Sequence, residues 1–199
     1  MAVVVVGGQA RRVGKTSVVC GLIAAMPERR WTAIKITQHG HHICAGDGGR
    51  CDCATPDHSF AITEERDSTG TNDTSRYLQS GAIGSFWLRA RPGSLAKAMP
   101  RVREIIGEAE NVIIESNSVM AFLHPDIYLV VLDPKTEEFK PSVLEFLGRA
   151  SALLVHQGVP VLQGLDTQLL HAKPVFAITR NAYVTPAVVD FVRGSRKVQ

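Results

Sequence analysis

Short apolar runs alternate along the chain with stretches whose apolar residues recur every three or four positions. The first run, "AVVVV" at 2–6, is continuous and β-branched, the pattern of a strand buried on both faces. "KTSVVCGLIAAM" at 15–26 follows as a helix, and "WTAIKIT" at 31–37 as a second strand. A polar stretch rich in Gly, His and Cys fills 38–58, and "SFAITEE" at 59–65 predicts a short strand. "DTSRYLQSGA" at 73–82 predicts a helix capped by Asn72 or Asp73. A strand at 84–90 and a helix at 94–109 come next, the helix with Pro100 as an interruption. Further strands are expected at 111–116, 127–133, 151–157 and 174–179, and helices around 141–149, 164–171 and 185–194. Such alternation predicts an α/β domain with a mainly parallel sheet. Ligands of such sheets gather at the carboxyl ends of the strands, where Gly8, Gln38, Glu115, Asp133, Gln157 and Thr179 stand here.

Composition narrows the function classes. The 199 residues read as one domain spanning 1–199, with 38–58 as a metal-binding insertion. A net charge of +3, with aromatics at 6%, gives no basic–aromatic stripe for nucleic acid. No apolar run approaches the roughly 20 residues of a membrane helix. "MAVVVVGG" has no basic leader or cleavage site, so the expected compartment is the cytoplasm. There the four cysteines stay reduced unless a metal holds them.

The first strand runs into "GGQARRVGKTS", Gly7 to Ser17. A phosphate loop reads G-x-x-x-x-G-K-[ST], and its first glycine would fall at position 9, which is Gln9. Gly8 comes one place early. The half nearest the helix is intact. Backbone N–H groups from Val13, Gly14, Lys15, Thr16 and Ser17 would surround an anion at a positive helix N-terminus. Lys15 would reach the β- and γ-phosphates, Thr16 would offer its hydroxyl to Mg²⁺, and Ser17 would contact an inner phosphate. Arg11 and Arg12 are either solvated or reach a phosphate or a partner's nucleotide.

Glu115 ends the strand "NVIIES" and is the candidate carboxylate to organise Mg²⁺ and water, with Asn117 and Ser118 next to it as substrate donors. Asp133 is the alternative carboxylate, although Pro134 after it favours a turn. Cys44, Cys51 and Cys53 share one short stretch with His39, His41, His42 and His58. Three thiolates and one imidazole would close a tetrahedral Zn²⁺ site, with His42, or His39, His41 or His58, as the fourth ligand. A closed site of that kind is structural. An iron–sulfur cluster and a metal-free reduced loop are the alternatives. Cys20, inside the first helix, reads as core.

Four places together resemble the MobB family, the P-loop adaptor proteins of molybdopterin-guanine dinucleotide biosynthesis. They are the first strand with Gly14-Lys15-Thr16, "IKITQHGHH", "NDTSRYLQSGA" and "VIIES", spanning roughly residues 2–118. The resemblance implies a P-loop NTPase three-layer sandwich with a mainly parallel sheet, here carrying the Cys/His-rich insertion after strand 2. It also implies Mg²⁺, GTP binding and a homodimer. By position, Lys15, Thr16, Asp73, Arg76 and Glu115 take the family's functional places. The family's guanine-reading element would fall at Thr179-Arg180-Asn181-Ala182, which lacks its aspartate. Thr179 and Asn181 are therefore base-contact candidates for GTP or ATP. Three functions follow as expectations. The first is a MobB-like protein that binds and slowly hydrolyses a purine nucleotide, alongside a protein or small-molecule partner. The second is a small-molecule kinase or ATP-dependent ligase, with residues 35–76 as acceptor pocket and Asp73 or Glu115 activating the nucleophile. The third is a metal-binding protein whose release the nucleotide gates.

Overall fold

The computed structural model describes residues 1–38, 59–157 and 173–194. The helix expected at 164–171 and all of the Cys/His ligands lie outside these residues. Eight strands form one sheet in the described chain: β1 (Val3–Gly8), β2 (Trp31–Gln38), β3 (Phe60–Glu64), β4 (Gly84–Ala90), β5 (Asn111–Glu115), β6 (Ile127–Leu132), β7 (Ala152–His156) and β8 (Val175–Ile178). Their order is β3-β4-β2-β5-β1-β6-β7-β8. Every pairing is parallel except β3 with β4, which is antiparallel and blunts one edge. The described helices are α1 (Lys15–Ala25), α2 (Asp73–Gln79), α3 (Leu95–Glu108), α4 (Pro141–Phe146) and α5 (Pro186–Gly194).

The β1 valines show why the run folds as a central strand. Val5 packs into one core with Ile34, Leu88 and Ile114, together with α3 residues such as Met99 and Val102. Val4 and Val6 turn the other way and pack with Ala33, Ile113 and Leu129, and with Val19 and Leu22 of α1 and Val188 of α5. Successive side chains of a strand point to opposite faces, so a continuous apolar run suits only a sheet covered on both sides. Helix, sheet and helix therefore stack as three layers.

This order places a switch point at β1. The chain leaves β1 through α1 toward β2 on one side, while β6 lies on the other. The carboxyl ends of β1, β2, β5 and β6 lie at the same end of the sheet, and a crevice forms there.

Three local expectations change. Asn72 caps α2, its side chain accepting the Ser75 N–H at 2.9 Å. The helix ends at Gln79, short of 82, because Gly81 takes a left-handed φ of 103° that terminates it. Pro100 does not interrupt α3, which runs through it. The ring sits on the exposed face, and burial of Leu95, Ala98, Met99, Val102, Ile105 and Ile106 on the other face holds the helix together. The proline still removes the N–H that would pair with the Ala96 carbonyl. An interior proline costs about 3 kcal/mol, offset by about 1 kcal/mol of unfolded-state entropy. Pro100→Ala should therefore raise the unfolding free energy by about 1–2 kcal/mol in a denaturant titration. Unchanged or lower stability would show that the helix has absorbed the ring at no cost.

Candidate functional site

The loop after β1 lies in the crevice, and a buried glutamine holds it. Gln9 is fully buried. Its Nε2 donates to the Thr136 carbonyl at 2.7 Å, and its Oε1 accepts the Asp133 N–H at 2.9 Å. Its own backbone N–H donates to Val131, and its carbonyl accepts the Lys140 N–H, both at 2.9 Å. The residue that breaks the phosphate-loop pattern thus ties the loop to the β6–α4 connection. On the other side Asn117 makes a two-point pair with Gly8, accepting its N–H at 2.8 Å and donating to its carbonyl at 2.9 Å. Gly7 has to be glycine for this approach, since a Cβ there would lie 2.2 Å from Asn117 Oδ1.

Beyond Gln9 the chain turns through Arg12, at φ 61°, and Gly14, at φ 100°, into α1. Helix α1 carries no side-chain cap and no acidic residue in its first turn. Its first N–H groups lack intrahelical acceptors, so the helix end is left electropositive. Lys15 Nζ donates to the Ala10 carbonyl at 2.8 Å, folding the ammonium back over the loop. Burial pushes the Lys15 ammonium down to a pKa of about 8, against the pull of Glu115; Lys140 and Lys35 push the same way as burial. Val13 is buried, and its carbonyl accepts from His156 Nε2 at 2.9 Å. The Tyr183 ring meets His156 edge-on at 5.5 Å and closes over Gly14, where a Cβ would come within 2.1 Å of it.

Glu115, 5% exposed, is the hub of a polar network. Thr16 Oγ1 donates to its Oε2 at 2.7 Å, and Lys35 Nζ reaches its Oε1 at 3.2 Å. The Tyr77 hydroxyl also donates to Oε2. Burial first, and then Glu115, push the Tyr77 phenol well above its ordinary range, so it remains a neutral donor. Lys35 pairs in addition with Asp73, and Arg76 lies 3.6 Å from Asp73 and 3.5 Å from Ser17 Oγ.

Apart from the buried Tyr77, the groups around Glu115 line one cleft of about 820 Å³, within the size of small-molecule sites. The fold brings together in it Arg11, Arg12, Gly14, Lys15, Thr16, Ser17, Asp73 and Glu115. Gly8 and Val13 stand behind it as loop supports. Thr179 and Asn181 form the turn after β8, where Thr179 Oγ1 accepts the Ala182 N–H at 3.1 Å and Asn181 is exposed; from this turn it is Tyr183 that lines the cleft. Asp133 accepts the Lys135 N–H at 3.0 Å in a plain turn. Cys20 is partly buried against the core, and burial raises its thiol pKa. Among the described residues no group of three or more His, Cys, Asp or Glu side chains gathers to hold a metal ion. Nor is any helix there long and apolar enough to cross a membrane.

Pattern matching missed Gln9, Lys35, Tyr77, Lys140, His156 and Tyr183. Two of them carried a local signal: Gln9 as the departure from the loop pattern, and Lys35 as a lone cation inside the apolar strand "WTAIKIT". Each hydrogen bond left unmade by a buried group costs about 1–3 kcal/mol. Gln9→Gly, which restores the motif's glycine, should therefore lower stability by about 2 kcal/mol, as should Gln9→Ala. Chemical denaturation measures this, and a more stable Gln9→Gly protein would contradict the staple.

No protein-family model matches the chain, and no curated protein matches it. Several solved structures are similar. One is HypB from Helicobacter pylori in complex with nickel, at 12% identity and a TM-score of 0.48, covering 96% of this chain and 83% of that one. Another is LpxK from Aquifex aeolicus in complex with ATP, at 17% identity and a TM-score of 0.49; 89% of this chain spans 53% of that protein. MobB from Bacillus subtilis aligns over 100% of both chains at 17% identity and a TM-score of 0.39.

Proposed function

We propose that the cleft binds a Mg²⁺–purine nucleoside triphosphate, GTP or ATP, and acts on its terminal phosphate. The observation that carries this reading is the loop after β1. It presents an uncapped α1 terminus, with Lys15 folded across the loop and Thr16 hydrogen-bonded to the strand-end carboxylate Glu115. Lys15 need only exchange the Ala10 carbonyl for a phosphate oxygen, and the N–H groups at the helix end hold the chain of phosphates. Thr16 Oγ1 and Glu115 are hard oxygen donors already side by side, which suits Mg²⁺. When bound, Mg²⁺ would screen the charge on the phosphates. Tyr77 and Lys35 hold Glu115 in place, and Asn117 and Gln9 keep the loop open.

The cleft extends past the loop to Lys35, Thr37, Gln38, Asp73 and Arg76. That room favours a phosphotransferase or ligase with a small acceptor, Asp73 being the more exposed of the two carboxylates. The narrower reading, a MobB-like homodimer serving molybdenum cofactor assembly, is supported by the four sequence motifs. Zinc held by Cys44, Cys51, Cys53 and one of His39, His41, His42 or His58 is likewise supported by the sequence, and with it the variant in which nucleotide gates metal release.

Titration with Mg·ATP and Mg·GTP should show one of them binding the wild type. A charge-assisted hydrogen bond contributes about 1.5–3 kcal/mol, so Lys15→Ala should bind at least about tenfold more weakly. Equal affinity in the two proteins would rule out the phosphate-loop reading. Elemental analysis should find about one zinc per chain in wild type purified without chelator, and none in Cys51→Ser/Cys53→Ser. A metal-free wild type would remove zinc from the proposal.

A further inference from the structure

The cleft holds more positive charge than a nucleotide needs. Among the described residues lining it, Arg11, Arg12, Lys15, Lys35, Arg76 and Lys140 stand against the two carboxylates Asp73 and Glu115, a net of four positive charges. A Mg²⁺-bound nucleoside triphosphate brings about two negative charges, which leaves an excess of about two. The two carboxylates are already committed to Lys35, Arg76 and Thr16. The excess therefore falls on Arg11, Arg12 and Lys140, whose side chains make no ion pair or hydrogen bond among the described residues.

Lys140 is the telling member. It is half-buried, and burial first, and then Arg11, push its ammonium pKa down, only partly offset by Glu138 and Glu115. Its place is not incidental, because its backbone N–H donates to the Gln9 carbonyl at 2.9 Å. The Gln9 staple that distinguishes this loop is therefore also what brings Lys140 beside Arg11, in the cleft that Arg12 also lines. Three like charges lining one cleft, offset only in part by Glu138 and Glu115, cost free energy that a bound anion would relieve.

We propose that Arg11, Arg12 and Lys140 form a second oxyanion site, which takes the phosphate or carboxylate group of an anionic small-molecule acceptor while the nucleotide occupies the loop. This rests on the nucleotide reading above and assigns the class of its second ligand. Two planar guanidinium forks with one ammonium suit a tetrahedral or planar oxyanion, and the neutral donors Ser116, Asn117 and Ser118 line the same cleft.

Inorganic phosphate and malonate are titrated separately into wild type saturated with the non-hydrolysable Mg²⁺ analogue of whichever nucleotide binds. The triphosphate then fills its own subsites, so neither probe can stand in for the terminal phosphate. At least one probe should bind, and Lys140→Gln should weaken it about tenfold or more. Phosphate alone, or malonate alone, would identify the group that is recognised. The proposal is overturned if neither probe binds, or if Lys140→Gln binds both like wild type. It is also overturned if Lys140→Gln weakens the nucleotide as much as the probe, for then the lysine serves the nucleotide's own phosphates. If no nucleotide binds wild type, the probes are titrated into the free protein. Binding that Lys140→Gln loses there would retain the oxyanion site and reject the nucleotide reading alone.

Discussion

The cleft depends on one buried carboxylate. Glu115 sits at the end of β5, almost out of solvent, and takes hydrogen bonds from α1 through Thr16, from β2 through Lys35 and from α2 through Tyr77. A buried carboxylate is tolerated only when its oxygens are satisfied. That requirement fixes where three other elements come to rest. The parallel register does the rest: Val6 and Lys35 both pair with Glu115, and β1 and β2 run on past it to Gly8 and Gln38.

A second constraint acts on the other flank. The loop after β1 takes its support from outside. Asn117 supplies it through Gly8, Gln9 through the β6–α4 connection, and His156 with Tyr183 through Val13 and Gly14. These supports come from separate strands, β5, β6 and β7, and from the turn after β8. The loop is thus braced by the sheet rather than by its own glycines, and for this reason it can afford Gln9 where the pattern has glycine. The same brace carries Lys140 into the cleft, so support and electrostatics are coupled through one residue.

Much of the architecture was legible in the chain itself. The valine run of β1, the apolar make-up of α1, the apolar face of α3 and the polar strand ends follow from the order of apolar and polar side chains, which local sequence carries directly. So did the placing of Lys15, Thr16, Ser17 and Glu115 at strand or helix ends, because a strand–loop–helix unit is continuous in sequence. Where local reading strayed, packing had overruled propensity. Pro100 stays inside α3 because the buried face outweighs one missing hydrogen bond. Helix α2 stops at Gln79 because Gly81 turns left-handed.

The sequence by itself thus determined the layered α/β plan and the half of the loop nearest α1, since both rest on residues close together in the chain. Only the tertiary structure decided what surrounds that half-loop. Gln9 meets Thr136, Lys35 meets Glu115, Tyr77 meets Glu115 and Lys140 comes beside Arg11 across separations that no local pattern encodes. Those meetings are set by the strand order, which brings β2, β5, β1 and β6 side by side although they are far apart in sequence. The charge of the cleft, and with it the kind of ligand the cleft would take, is a property of that order.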